Sequence, residues 1–324
     1  MKVTTIQLNN YLGEMVQSFI AAETLIKKAV TEGTKLVALP ELSTCGYIPN
    51  TDIWSFGEPC DGITSKWAKE IAKKYQIYVG AGFLECDGID FYNSYLIANP
   101  QGKIDGIVRK KETESYCFKS MDASNIVDTA IGKIGIGICA DTHKKWFFNK
   151  MKAQQPNLLI LPHAWATPKT LNKFISKKDI NKAEENLKTL GKLYAEYLKI
   201  PTIFVNPWGT MPPMIGFFGK MMNSNSFTLN GSSAIFLPNG HAFYCQDQEN
   251  QMTIDVDMTR SKGEPKEPKF YYGWIHKGSW MIRKILMPLE IRKGQRFYKK
   301  SLLKKEKANK CIETYQGEQE KIIK

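Results

Sequence analysis

Between residues 3 and 256, short apolar runs alternate with helix-length amphipathic segments, and this alternation constrains the fold more than any other feature. Residues 3–8 and 36–39 read as buried strands. The segment between them, 13–32, carries Met15, Phe19, Ala22, Leu25, Ile26 and Val30 at helical spacing and stops at Gly33. A second amphipathic helix spans 63–75, with Lys66, Lys69, Lys73 and Lys74 on its wet side. Strands are expected at 77–84, 91–98 and 104–109, punctuated by Cys86-Asp87-Gly88 and Asn99-Pro100-Gln101-Gly102. Further along come a strand at 134–138, a helix at 144–154, a strand at 157–161 and a long helix at 179–198. Strands at 202–205, 233–236 and 252–256 complete the pattern. Helices mixed with buried strands and hairpins point to a layered α/β fold with a mixed sheet.

The chain has 324 residues, of which 43% are hydrophobic and 24% charged, ordinary values for a globular protein with a large core. No signal-peptide pattern opens the sequence, and no run of eighteen apolar residues suggests a membrane span. Cys45, Cys60, Cys86, Cys117, Cys139, Cys245 and Cys311 are scattered, odd in number and without C-x-x-C spacing. A disulfide scaffold or a structural zinc site does not fit that spacing, and a reducing cytoplasm is the expected setting. No H-E-x-x-H motif or P-loop is present, which argues against zinc-protease and nucleotide-dependent readings.

Three strand ends carry reactive residues. Glu41 follows the apolar run 36–39, where a carboxylate is costly to bury without a partner or a task. Lys110 follows the strand 104–109, and Cys139 follows 134–138. Sites in α/β sheets collect beyond the carboxyl ends of strands. A thiol of ordinary pKa, about 8.5, needs a base or a cation to become a nucleophile. Glu41 can take the thiol proton, and Lys110 can favour the thiolate and then an oxyanion, with the Ala140 N–H as a second donor. Taken singly, each residue also has a plainer reading: a packed cysteine, a loop glutamate, a lysine in a wet charge run. A papain-like Cys–His pair is the competing arrangement, but His143, His163, His241 and His276 have no telling context.

In combination, Pro40-Glu41, Tyr47-x-Pro49, Arg109-Lys110 and Gly135-x-x-Ile138-Cys139-x-Asp141 resemble the nitrilase, or carbon–nitrogen hydrolase, superfamily. Tyr92-Asn93-Ser94, Leu159–Trp165, Phe204-Val205-Asn206 and Gly231–Gly240 resemble its later landmarks, so the likeness covers roughly residues 1–257. It implies an α-β-β-α sandwich of two mixed sheets flanked by helices, usually assembled as a homodimer or higher homo-oligomer. It also implies Glu41 as general base, Lys110 as the oxyanion-stabilising cation and Cys139 as nucleophile. Glu114 matches a second glutamate that positions substrate, and Tyr47, Ala140 and His163 are further candidates for that role. The implied activity is hydrolysis of a small-molecule amide without metal or organic cofactor. Transfer of the acyl group to an amine, or a catalytically silent scaffold, are the alternatives. The short link from Lys110 to Glu114 and the segment Ala140–Trp146 depart from the usual pattern, which leaves the substrate class open.

Beyond a hydrolase domain at 1–260, residues 261–324 form a basic, aromatic-rich extension. Residues 281–310 hold eleven Lys or Arg against Glu290 and Glu306, a net of +9 out of +13 for the whole chain. The segment 262–269 reads as a linker, and Pro288 is expected to interrupt any helix that follows. Aromatic and aliphatic side chains interleave with the basic ones. They suit packing on the body or on a partner copy, peripheral contact with an anionic membrane, or, least well, nucleic acid.

Overall fold

A computed structural model of the chain describes residues 1–171, 175–217, 219, 226–246, 248–259 and 263–323. Two six-stranded mixed sheets form its centre. The first has the order β15-β1-β2-β3-β4-β5, with β1 Lys2–Gln7, β2 Leu36–Ala38, β3 Tyr78–Asp87, β4 Asp90–Ala98, β5 Ile104–Arg109 and β15 Asn250–Asp255. The second has the order β14-β13-β10-β8-β7-β6, with β6 Ile126–Thr129, β7 Gly132–Ile136, β8 Leu158–Pro162, β10 Thr202–Val205, β13 Ala234–Phe236 and β14 Ala242–Tyr244. In the first sheet β1, β2 and β3 pair in parallel, and β3, β4 and β5 form an antiparallel meander. In the second, β7, β8 and β10 run parallel.

The strand sequences explain why the sheets stack. Successive side chains point to opposite faces. In β2 the alternation sends Leu36 and Ala38 between the sheets and Val37 outward beneath the helices. In β8, Leu158 and Ile160 enter the seam while Leu159 and Leu161 meet the second helical layer. Val3, Ile97, Ile134, Ile136, Ile160, Ile203 and Ile235 fill the seam, all fully buried. Each such side chain contributes about 1.5–3 kcal/mol relative to exposure. Helices α1 Met15–Thr31 and α2 Ile63–Tyr75 cover the first sheet through Ala22, Leu25, Ile26, Ala68 and Ile71. Helices α3 Lys145–Gln154 and α4 Lys177–Leu198 cover the second through Phe148, Met151, Leu187, Leu190 and Tyr194. The layers are therefore α-β-β-α, as the sequence resemblance implied. A small third sheet of β9 Ala166–Pro168, β12 Phe227–Asn230 and β11 Trp208–Gly209 was not foreseen, because strands of two to four residues show no periodicity.

The expected domain boundary at 260/261 and the start of the expected linker at 262 lie outside the described residues. Residues 263–269 have no regular structure, although the Lys266 N–H bonds the Tyr197 carbonyl at the end of α4. The extension then forms one helix from residue 280 to 300, followed by α6 Leu302–Ile323. Pro288 does not break it, contrary to expectation. A π turn over Ile282–Leu286 precedes α5 Met287–Lys300, placing Pro288 in the first turn of the α-helical part, where its missing N–H costs little. Part of the extension packs on the body. The Phe91 N–H donates to the Tyr298 hydroxyl at 2.8 Å, and Lys304, almost fully buried, reaches Asp90 at 3.0 Å. Gly294, inside α5, is there for closeness: a Cβ would lie 2.1 Å from Ser115 Oγ. No helix among the described residues is long and apolar enough to cross a membrane.

Candidate active site

Residues beyond β2, β5 and β7 converge at one end of the sandwich, two from the first sheet and one from the second. Glu41 follows β2, and its backbone N–H reaches the His163 carbonyl on the second sheet at 3.3 Å. The Glu41 turn lies directly over β3. At Gly82 a Cβ would stand 2.6 Å from the Pro40 carbonyl oxygen, so only glycine lets the turn approach. Lys110 follows β5, and its N–H is held by the Asn93 carbonyl at 2.9 Å. Cys139 opens a short 3-10 turn, Cys139–His143, with φ at +45°. That value is unfavourable for a residue with a Cβ and costs on the order of 1–3 kcal/mol. The Thr142 hydroxyl donates to the Cys139 carbonyl at 2.6 Å and secures the turn.

The polar centre is one ammonium between two carboxylates. Lys110 Nζ lies 2.6 Å from Glu41 Oε1, 3.0 Å from Glu114 Oε1 and 3.1 Å from Glu114 Oε2. Asn93 Nδ2 also donates to Glu41 Oε1 at 2.6 Å, and the Tyr47 hydroxyl donates to Glu114 at 3.1 Å. The second carboxylate oxygen of Glu41 and the Asn93 side-chain carbonyl are buried with no hydrogen-bond partner among the described residues. An unmade bond of this kind costs about 1–3 kcal/mol, and here it leaves a proton acceptor free.

Burial alone would lower the Lys110 ammonium, but the facing Glu114 and Glu41 carboxylates outweigh it and hold the group well above its ordinary range. Burial pushes Glu41 up, with the Lys110 charge opposing it. The Cys139 residue is half-buried, yet its thiol sits deep enough that burial, then the Glu41 charge, raises it well above the ordinary thiol range. Lys110 and the Ala164 N–H pull the other way without winning. The resting group is therefore a thiol with a base beside it, rather than a free-standing thiolate.

Beside this centre lies a cavity of about 230 Å³. Its wall combines Glu112, Glu114 and Ala140 from the site with Trp274, Met287 and Ile291 from the extension. Glu114 and Ala140 thus face the cavity, and Tyr47 supports Glu114 from within the core. His163 is placed differently. It is fully buried behind the Cys139 turn, with Nδ1 2.9 Å from the Leu161 carbonyl, Nε2 3.1 Å from the Thr142 hydroxyl and its ring against Phe204. It supports the Cys139 turn through Thr142.

Sequence reading assigned no role to Asp141, which the structure makes a clamp. Its carboxylate accepts the backbone N–H groups of Glu112 at 2.7 Å and Lys111 at 3.2 Å, tying the Cys139 turn to the Lys110 loop. Burial raises its pKa to about 7. The signal was present in Cys139-Ala140-Asp141, but backbone acceptors seldom announce themselves in sequence. Glu290, in α5, was also missed. It accepts from the Tyr116 hydroxyl at 3.1 Å and from the Phe217 N–H, anchoring the extension against the cavity wall.

The family model for carbon–nitrogen hydrolases matches residues 2–265. A nitrilase from Pyrococcus abyssi is 33% identical over 154 residues, covering 45% of this chain and 57% of that protein. A citrullinase from Francisella tularensis is 29% identical over 191 residues, covering 54% of this chain and 65% of that protein. The matches thus span less than two thirds of either relative. Among solved structures, a carbon–nitrogen hydrolase from Helicobacter pylori G27 superimposes with a TM-score of 0.70 at 18% identity, covering 94% of this chain and 96% of that one.

Proposed function

The chain belongs to the carbon–nitrogen hydrolase family, and from that premise we propose that it cleaves the carbon–nitrogen bond of a non-peptide amide through a cysteine thioester. Cys139 Sγ attacks the carbonyl carbon while the unpartnered oxygen of Glu41 takes the thiol proton. The negative charge that develops on the carbonyl oxygen is met by the Lys110 ammonium and the Ala140 N–H. Collapse of the tetrahedral intermediate breaks the carbon–nitrogen bond, and Glu41 returns the proton to the departing amine. A water molecule, deprotonated by Glu41, then adds to the thioester. The acid leaves, and the thiol regains its proton.

Glu114 keeps the ammonium charged and aimed, and it borders the cavity where the substrate enters. The observation that carries this reading is the buried ammonium shared by two carboxylates, together with a thiol that feels the charge of Glu41, whose second oxygen is left without a partner among the described residues. The test is release of ammonia from a panel of nitriles, primary amides and carbamoyl compounds, and of the free amine from acyl amines. Turnover of at least one class, abolished in Cys139→Ala, is expected. A Cys139→Ala variant that retains turnover refutes the mechanism. Diversion of product to a new amide by added amine would mark acyl transfer through the same thioester.

A further inference from the structure

The helix from 280 to 300 has two apolar sides. Met287 and Ile291 line the cavity that Glu114 and Ala140 border, and Gly294 and Tyr298 press on the body. On the other side, Met281, Ile285 and Leu289 follow one another at four-residue spacing and are 54%, 43% and 56% exposed. Trp280 and Ile282 are exposed beside them. Farther along the helix, Arg292, Lys293, Arg296, Lys299 and Lys300 are all exposed. Exposed apolar side chains are unremarkable when single; a stripe of them continuing into a row of cations is a docking surface.

We propose that this face seats the protein on an anionic lipid bilayer, with Trp280, Met281, Ile285 and Leu289 in the headgroup–acyl boundary and the Arg and Lys side chains against lipid phosphates. Charge selects this occupant. A second copy docked through the same face would set one +9 segment against another, whereas an anionic leaflet is complementary to it. The exposed apolar side chains of the helix are mostly aliphatic, with Met281, Ile282, Ile285 and Leu289 against the aromatic Trp280 and Phe297, which suits acyl chains better than base stacking. Trp280 at the edge of the stripe matches the interfacial preference of indole. The segment is too charged to span the bilayer, so the contact is peripheral. Each Lys or Arg near such a surface strengthens binding by roughly fivefold, so a few of them suffice for stable attachment when apolar insertion is added.

The test is co-sedimentation of the full chain with phosphatidylglycerol–phosphatidylcholine vesicles and with phosphatidylcholine vesicles alone. Binding to the anionic vesicles is expected to be more than about tenfold tighter and to weaken with salt. The double variant Ile285→Glu, Leu289→Glu should lose roughly tenfold or more in binding, with an unchanged melting curve, because both side chains are exposed. The triple variant Arg292→Glu, Lys293→Glu, Arg296→Glu should abolish the preference for anionic lipid. Cys139→Ala should bind like the native chain, so docking and hydrolysis stand or fall separately. Three results would overturn the proposal: no sedimentation with anionic vesicles, equal binding to neutral ones, or unaltered binding by the Ile285→Glu, Leu289→Glu variant. Conversion of a dimer to a monomer by that variant, read by analytical ultracentrifugation, would also overturn it and assign the face to a second copy.

Discussion

The Lys110 ammonium lies 2.6 Å from a Glu41 carboxylate oxygen, and neither side chain has any exposure to solvent. Because Glu114 holds the same ammonium, Lys110 separates two carboxylates that would otherwise repel each other in a dry site. Lys110→Met should therefore do more than slow catalysis. Removing the cation strands buried negative charge, at a cost of about 3–5 kcal/mol. Chemical denaturation should show that loss, alongside a fall in kcat of at least about 100-fold. The double variant Lys110→Met, Glu114→Gln should recover part of the stability without recovering activity. A fully stable single variant would contradict this account of the charges.

Glu41→Gln keeps the shape of the side chain and removes the proton acceptor. A fall in kcat of roughly 100- to 10,000-fold is expected, with little change in melting temperature. Mass spectrometry of the variant mixed with a reactive amide is the accompanying measurement. Any acyl-enzyme that forms should persist, because water has also lost its base.

Asp141→Ala should uncouple the nucleophile turn from the lysine loop. Two backbone N–H groups lose their acceptor, each costing about 1–3 kcal/mol. Asp141→Asn, which keeps one acceptor oxygen, should lose less in both stability and kcat. Equal losses in the two variants would show that the bonds to Lys111 and Glu112 are not what matters.

His163 gives a pH prediction. Burial lowers its pKa to about 3, against about 6.5 in an unfolded chain. Between those values the unfolded state binds the extra proton, so His163 opposes folding increasingly as pH falls below about 6.5. The effect is about 1.4 kcal/mol per pH unit, so on the order of 3 kcal/mol by pH 4.5. In His163→Asn the decline in stability from pH 6.5 to 4.5 should be shallower than in the native chain. Parallel declines would count against a neutral, buried His163.

Gly294→Ala sets local propensity against packing. Alanine is favoured in a helix interior by about 1 kcal/mol. Its methyl group would nevertheless meet Ser115 Oγ at 2.1 Å, in the loop that carries Glu114. Net destabilisation and a raised KM are expected, measured by thermal melting and steady-state kinetics. A stabilised variant would show that α5 is free to move off the loop.

Much of this protein is legible in its sequence because the governing forces are periodic or local. The strands at 104–109 and 202–205 and the helix at 63–75 were read to the residue, since their burial patterns repeat within a few positions. The order of residues also places Glu41, Lys110 and Cys139 each beyond a strand, and family membership follows from the same motifs. Other features had no local signature. Asp141 works through backbone groups of residues 30 and 29 positions away in the chain. The Pro288 expectation failed because a π turn directly before α5 accommodates what a regular α-helix would not. The charge states of Glu41 and Lys110 depend on burial among groups that only the stacked sheets bring within reach. The sequence by itself determined which surfaces had to be buried and which residues would end each strand. Tertiary structure alone decided the dielectric around those residues, the free oxygen on Glu41 and the use of the extension as a cavity wall, because each arises between segments far apart in the chain.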